Sequence, residues 1–260
     1  MNNRCKTIRQ NILKISNESG HGHIPACFSI VEILFAVYSI MKHDPQNPKM
    51  SDRDIFILSK GHAALAQYCI LAELGYFAIE EVFAFGGYKA KFGCHADRQK
   101  IPGIEASTGS LGHGIGIAVG MALGLKLKNS PRKVYTIIGD GEANEGTIWE
   151  ALMVADNLNL NNLIVIYDNN KSHERGLQIS NPSEKLKAFG CEVYEVDGHD
   201  ENAILDILQK PQKKIKAVVA NTIKGHGCRT FSINHYAWHR KSPNNEQLLN
   251  LMEELNASSI

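Results

Sequence analysis

Two turns in this sequence gather residue types that hold a hard cation. The apolar run KVYTII (133–138) is followed at once by Gly139-Asp140-Gly141-Glu142, and LIVIY (163–167) by Asp168-Asn169-Asn170. If the two runs are parallel strands of one sheet, they deliver a carboxylate and amide oxygens to the same edge. Those donors and one backbone carbonyl suit Mg2+, with phosphate oxygens and water completing its octahedron. Ca2+ and Mn2+ accept the same oxygens. The glycines beside Asp140 leave room for a bulky diphosphate to approach the backbone. A single Asp between glycines is more often a solvated turn residue; its pairing with Asn-Asn after the next strand favours a metal.

The elements that must position these turns are legible from the hydrophobic pattern. After KVYTII and LIVIY come EVYEV (192–196) and IKAVVA (215–220), separated by helical stretches from about 145 to 157, 182 to 189 and 201 to 209. Near-continuous apolar strands alternating with helices predict an α/β fold, a parallel sheet with helices on both faces. Ligands of such sheets lie beyond the carboxyl ends of the strands. Upstream, Ile8, Ile12 and Ile15 recur at helical spacing, and Ser29-x-x-Glu32 reads as a capping box before Val31, Leu34, Phe35 and Tyr38. A short strand, IFIL, is expected at 55–58 and a helix from Ala63 to Leu74. The segment from Lys89 to Gly112 reads as a long irregular loop, a kind that is usually functional. On the helix after it, Gly116, Gly120 and Gly124 fall four apart and predict a smooth face for close packing of another backbone.

Composition excludes several function classes. The chain has 260 residues, 28 Lys plus Arg against 27 Asp plus Glu, and a net charge of +1, so no electrostatic case exists for nucleic acid or a membrane surface. The start, MNNRCKTIRQNILKIS, has no signal-peptide run, and nothing approaches the ~18 consecutive apolar residues of a membrane span. A cytoplasmic protein with one domain over residues 1–260 is expected. Six cysteines without a C-x-x-C pair argue for free, buried thiols rather than disulfides or zinc.

The distance between the two turns narrows the chemistry. Residues 142–168, 27 positions, separate Gly-Asp-Gly from Asn169-Asn170, and this arrangement resembles the signature of thiamine diphosphate enzymes. Within them the likeness is to transketolase, above all to the N-terminal chain of split transketolases, and it covers almost the whole sequence. It rests on LSKGHA (58–63), IEASTGSLGHGIGIAVGMALGLKLK (104–128), GDGEANEGTIWEAL (139–152) and WHRKSPNNEQ (238–247), in that order. The resemblance implies Asp140, Asn170 and the carbonyl of Ser172 as metal ligands. It implies Gly139, Gly141, His62, Ser110, Leu111, Glu145 and His239 as cofactor-binding residues, and His23, His62, His95 and His239 as catalytic ones. Glu145 and Glu150 match acidic residues that link cofactor sites across a subunit interface.

Ketol transfer breaks a carbon–carbon bond next to a carbonyl, and the thiazolium of the cofactor serves as the electron sink. The protein then positions groups and moves protons, work that suits imidazoles with an ordinary pKa near 6.5. Of the eleven histidines, His43, His173, His199, His226 and His235 are expected to be structural. His21-x-His23 lacks the further ligands a zinc site needs. The sequence departs from the family pattern at His21-Gly22-His23-Ile24, His95-Ala96-Asp97, Gly112-His113-Gly114 and Trp238-His239-Arg240. These changes touch the substrate side, and His113 and Arg240 are expected to adapt the pocket to an unusual or more anionic sugar.

The family's activating glutamate and its phosphate-recognising arginines belong to a pyrimidine-binding domain for which this sequence has no counterpart. The resemblance therefore implies an obligate partner chain, a C-terminal transketolase subunit, in a heterotetramer acting on sugar substrates that are expected to be phosphorylated. Alternative readings are the alpha subunit of a 2-oxoacid dehydrogenase, a decarboxylating synthase, or a degenerate module that only binds. A dinucleotide fold fails, because Gly112-x-Gly114-x-Gly116 follows no strand and lacks the fingerprint spacing.

Overall fold

The structure, a computed structural model, describes residues 2–258; of the single domain expected over 1–260, Met1, Ser259 and Ile260 lie outside the described residues. Five strands, β1 (Ile55–Leu58), β2 (Val134–Gly139), β3 (Leu163–Asn169), β4 (Glu192–Asp197) and β5 (Lys216–Asn221), form one parallel sheet in the order β1-β2-β3-β5-β4. The helices are α1 (Asn3–Ser19), α2 (Ile24–Phe28), α3 (Val31–Ile40), α4 (Ala64–Glu73), α5 (Ile79–Val82) and α6 (His113–Leu127), then α7 (Gly146–Asn157), α8 (Pro182–Ala188), α9 (Glu201–Gln209), α10 (Arg229–Ile233) and α11 (Asn245–Ala257).

Alternation along the strands explains why both faces are apolar. Phe56, Leu58, Ile137, Ile164, Ile166 and Val218 point to a core shared with α1, α3, α4 and α9. Ile55, Ile57, Val134, Ile138, Val165 and Val219 point to the opposite core under α6, α7 and α8. Strands buried on both sides read as continuous apolar runs, as the sequence does. The ladder continues one or two residues past each run: Gly139 pairs with Asp168 and Asn169 with Asn221. The two candidate turns therefore start level at the carboxyl edge.

One local expectation is corrected. Ser29 and Glu32 do not cap α3, whose N-cap is Ile30 without a side-chain bond. Ser29 Oγ instead donates to Asp168 Oδ2 at 2.8 Å, and Glu32 accepts from Arg9 at 2.6 and 2.7 Å, because pairing a buried guanidinium with a buried carboxylate outweighs a helix cap. The glycine face of α6 is open among the described residues: Cβ atoms at Gly116, Gly120 and Gly124 would meet no atom within 4 Å, so the backbone expected to pack there is not one of these. The segment between α5 and α6 is irregular as expected, but Phe92, Ile101 and Ile104 seat it in the core. All six thiols are free, and five are buried. Among the described residues no helix is long and apolar enough to cross a membrane.

Candidate active site

The turns after β2 and β3 are joined by a hydrogen bond from Asp140 N to Asp168 O, 3.2 Å. Asp140 is 1% exposed. Its Oδ1 accepts from Gly141 N (2.7 Å) and Ser172 Oγ (2.8 Å), and its Oδ2 from Ser172 N (2.7 Å). Asn170 Oδ1 accepts from the same Ser172 N–H at 3.0 Å, so a carboxylate and an amide oxygen meet at one point. Both nitrogen and hydroxyl of Ser172 face Asp140, and its carbonyl accepts no hydrogen bond among the described residues. Three hard oxygens from Asp140, Asn170 and Ser172 fit a divalent cation. Gly141 serves by its size, not by an unusual backbone angle: a Cβ there would come within 3.3 Å of Ser172 Oγ.

Above this point lies a cleft of about 310 Å³, lined among others by His23, His62, His95, Leu111, Lys224, His239 and Arg240, a volume that accommodates a small ligand. Four separate parts of the chain supply its imidazoles. His62 follows β1 in the short turn Gly61–Ala63. His23 precedes α2 at a φ of 136°, an uncommon conformation for a residue with a side chain. His95 comes from the long loop and His239 from the segment after α10. The backbone of that last segment is pressed onto Gly22, where a Cβ would lie 2.6 Å from Lys241 O. Only a glycine allows His239 to close over His23. The ring centroids of His23 and His62 stand 5.3 Å apart, His23 and His239 5.2 Å, and His62 and His239 6.3 Å.

Burial sets the protonation of these groups. It pushes His23 down to about 4, helped by the positive character of His239, His95 and Arg240. Burial and then Lys60 push His62 well below its ordinary range. Burial lowers His95, and burial with Lys224 lowers His239. At neutral pH all four rings are uncharged and able to accept protons. Lys224 is 4% exposed; burial pushes its amine down to about 8, and its Nζ stands 3.4 Å from His239 Nδ1.

Several polar residues here gave no signal in the sequence. Glu142, buried and pushed up by that burial, accepts from Ser59 Oγ (2.6 Å), Gly112 N (2.9 Å) and Gly139 N (3.0 Å), tying the start of α6 to the β2 turn. Lys60 Nζ donates to Asp168 Oδ2 at 2.5 Å. His173, expected to be structural, places Nδ1 3.2 Å from Asp140 Oδ2, off the line of a hydrogen bond. For Lys60 and Lys224 the one local signal is the Lys-Gly-His that SKGH (59–62) and TIKGH (222–226) share.

Other expected residues fall outside the cleft that this chain forms. Ser110, Glu145 and Glu150 are exposed, Glu145 at the N-cap of α7 and Glu150 one turn into it. His113 is exposed on α6 with Nδ1 3.1 Å from Leu111 O, so of the two residues expected to adapt the pocket only Arg240 reaches it. No ion pair or hydrogen bond engages the Arg240 guanidinium among the described residues. A larger hollow of about 950 Å³ between residues 46–53 and 98–105 offers no imidazole, and Arg53 and Glu105 neutralise each other in it at 2.6 Å.

This arrangement has relatives. Residues 1–254 match the family described as transketolase, thiamine diphosphate binding domain. The chain is 39% identical to an apulose-4-phosphate transketolase subunit from Actinobacillus succinogenes, over 97% of this chain and 94% of the relative. It is 40% identical to the 6-deoxy-6-sulfo-D-fructose transketolase subunit SqwG of a Clostridium species, over 92% and 90%. A crystal structure of transketolase from Campylobacter jejuni superposes with a TM-score of 0.90 at 28% identity over 97% of this chain. The chain spans 42% of that solved transketolase, while matching nearly the full length of the two subunit relatives.

Proposed function

The chain belongs to the transketolase thiamine diphosphate-binding family, and from that premise we propose that it is the diphosphate-binding subunit of a two-chain transketolase. It transfers a two-carbon ketol (glycolaldehyde) unit from a ketose to an aldose. The observation that carries this reading is the meeting of the Asp140 and Asn170 oxygens beneath a cleft walled by four neutral imidazoles. Asp140, Asn170 and the Ser172 carbonyl would hold Mg2+, or Ca2+ or Mn2+ in its place. Gly139 and Gly141 would leave room for the diphosphate, and His62, Leu111 and Lys224, which line the cleft, would bind it. When bound, thiamine diphosphate supplies the electron sink for cleavage next to a carbonyl.

The residues of this chain orient the sugar and move its protons. His23, His62, His95 and His239 hydrogen-bond the sugar hydroxyls as neutral rings, since partial burial disfavours the charged form. Lys224 donates toward His239 Nδ1, which puts the ring proton on Nε2 and leaves that nitrogen to donate to the substrate. Ser110, Glu145 and Glu150 serve at the border with a partner chain that carries the pyrimidine-binding domain, in a cytoplasmic heterotetramer with sites between chains. The relatives named for a sugar phosphate and a sulfosugar, together with the unpaired Arg240, support an anionic sugar as substrate.

Native mass spectrometry of the complex from its own cells tests the assembly: a two-plus-two complex with thiamine diphosphate and a divalent ion is expected. That complex should move two carbons between ketose and aldose phosphates. Carbon dioxide release from pyruvate would instead assign it to the 2-oxoacid group, and a cofactor-free homo-oligomer would leave a binding module.

A further inference from the structure

The carboxylate of Asp168 is fully buried two residues before Asn170, yet it faces away from the cleft. Donors from four parts of the chain converge on it. Oδ2 accepts from Lys60 Nζ (2.5 Å), Asn170 Nδ2 (2.7 Å) and Ser29 Oγ (2.8 Å), and Oδ1 accepts from Thr222 Oγ1. A side-chain amide has one oxygen and one nitrogen of nearly equal size, and its surroundings decide which way it points. Beside Asp168 the choice is forced, because a carboxylate accepts hydrogen bonds and repels an amide oxygen.

We propose that Asp168 is a positioning residue that turns the Asn170 amide so that its oxygen, and never its nitrogen, faces the metal. The inference rests on the metal reading given above. Lys60 and Thr222 share the task by holding the carboxylate still, and Lys60 is thereby removed from the charges available to a ligand. The same geometry explains the residue type at 170: an aspartate there would set two carboxylates against each other, and only an amide can donate to Asp168 on one side while presenting an oxygen on the other. Partners behind a ligand typically change metal affinity by about 10–100-fold when lost.

The test changes the two residues one at a time in the full chain, purified with the partner chain it assembles with. Asp168→Asn should weaken the Mn2+-dependent binding of thiamine diphosphate at least tenfold, read by titration calorimetry and the Mn2+ resonance spectrum. Asn170→Asp offers the metal a carboxylate but sets it against Asp168, so it too should bind at least tenfold more weakly, where a freely turning ligand would bind more tightly. Unchanged affinity in Asp168→Asn, or tighter metal-dependent binding in Asn170→Asp, would overturn the proposal. Should either variant fail to fold, hydrogen exchange in the wild-type chain decides: the Asn170 side-chain amide protons should be strongly protected, and exchange at the rate of a free amide would overturn it. Failure of the metal reading looks different, since wild type would then show no Mn2+-dependent binding while the amide protection stayed.

Discussion

Two polar clusters near the sheet's carboxyl edge behave in opposite ways, one built on the buried Arg9 and Glu32, the other reaching the surface at His95, His239 and Arg240. In the first, Arg9 grips both oxygens of Glu32 at 2.6 and 2.7 Å and the carbonyl of Phe28 at 2.6 Å. His199 Nδ1 stands 3.1 Å from Glu32 Oε2, and its Nε2 accepts from Ile223 N at 2.8 Å. His226 stacks on His199 with centroids 3.6 Å apart. Burial pushes the Glu32 carboxyl up, but Arg9 and then His199 more than reverse this and hold it well below its usual range. Glu32, His199 and His226 are spaced closely enough for a metal, yet Arg9 occupies both carboxylate oxygens and both His199 nitrogens are used, so the cluster is closed.

The cleft is the reverse. Among the described residues His23, His62 and His239 face one another, no cleft imidazole hydrogen-bonds a carboxylate, Lys224 has one hydrogen-bond partner, and the Arg240 guanidinium has none. Burial there is uncompensated, which is why His23, His62, His239 and Lys224 all shift toward their neutral forms. Buried groups that satisfy each other build the fold. Buried groups left short of partners mark where a ligand completes the set.

The contrast can be broken from either side. Arg9→Ala leaves Glu32 buried and alone and should cost about 3–5 kcal/mol of stability in chemical denaturation; a loss below ~1 kcal/mol would show that the first cluster does not support the fold. Asp140→Ala should do the opposite, lowering metal-dependent thiamine diphosphate affinity by about 100-fold or more while leaving the unfolding midpoint nearly unchanged. An unaltered affinity would place the metal elsewhere. His62→Ala should slow turnover by about 100-fold in the assembled enzyme without unfolding it, and a wild-type rate would remove His62 from the chemistry.

Acid titration sharpens the comparison because each cluster contains one histidine held down to about 4, His23 in the cleft and His226 in the closed cluster. The unfolded chain takes up protons at the ordinary 6.5, so between 6.5 and 4 it binds more protons than the folded one. This share of stability is complete above about 6.5 and is lost as pH falls toward 4. His226→Gln should flatten the decline of the melting temperature over that window, and an identical slope would mean that His226 is protonated in the fold. Smallest is the effect of Arg240→Gln: a rise of about tenfold in KM for an anionic aldose, with a neutral aldose unaffected. Equal changes for both sugars would sink the charge argument.

The sequence shows the turns before it shows anything around them. Asp140, Asn170 and the strands that carry them were legible because each turn directly follows a strand buried on both faces. His23, His62, His95 and His239 were legible only through motifs, since nothing local distinguishes them from His43, which ends in bonds to Tyr76 and Tyr38. Ser29 and Glu32 misled, because their spacing suits a cap but their partners, Asp168 and Arg9, lie 139 and 23 residues away. His113 shared a motif with cleft residues, yet the first turn of α6 directs it outward.

By itself, then, the amino-acid sequence determined the layered α/β architecture and the two turns that bring oxygen donors to one edge of the sheet, since hydrophobic period and strand-end position are properties of neighbouring residues. The tertiary structure alone decided which polar groups neutralise one another. Placing β5 between β3 and β4 brings Thr222 to Asp168 and Lys224 to His239, and folding the 240–241 backbone onto Gly22 closes the cleft. A hydrogen bond or ion pair depends on separations of a few ångströms between residues far apart in the chain, and only the packed sheet and helices set those distances.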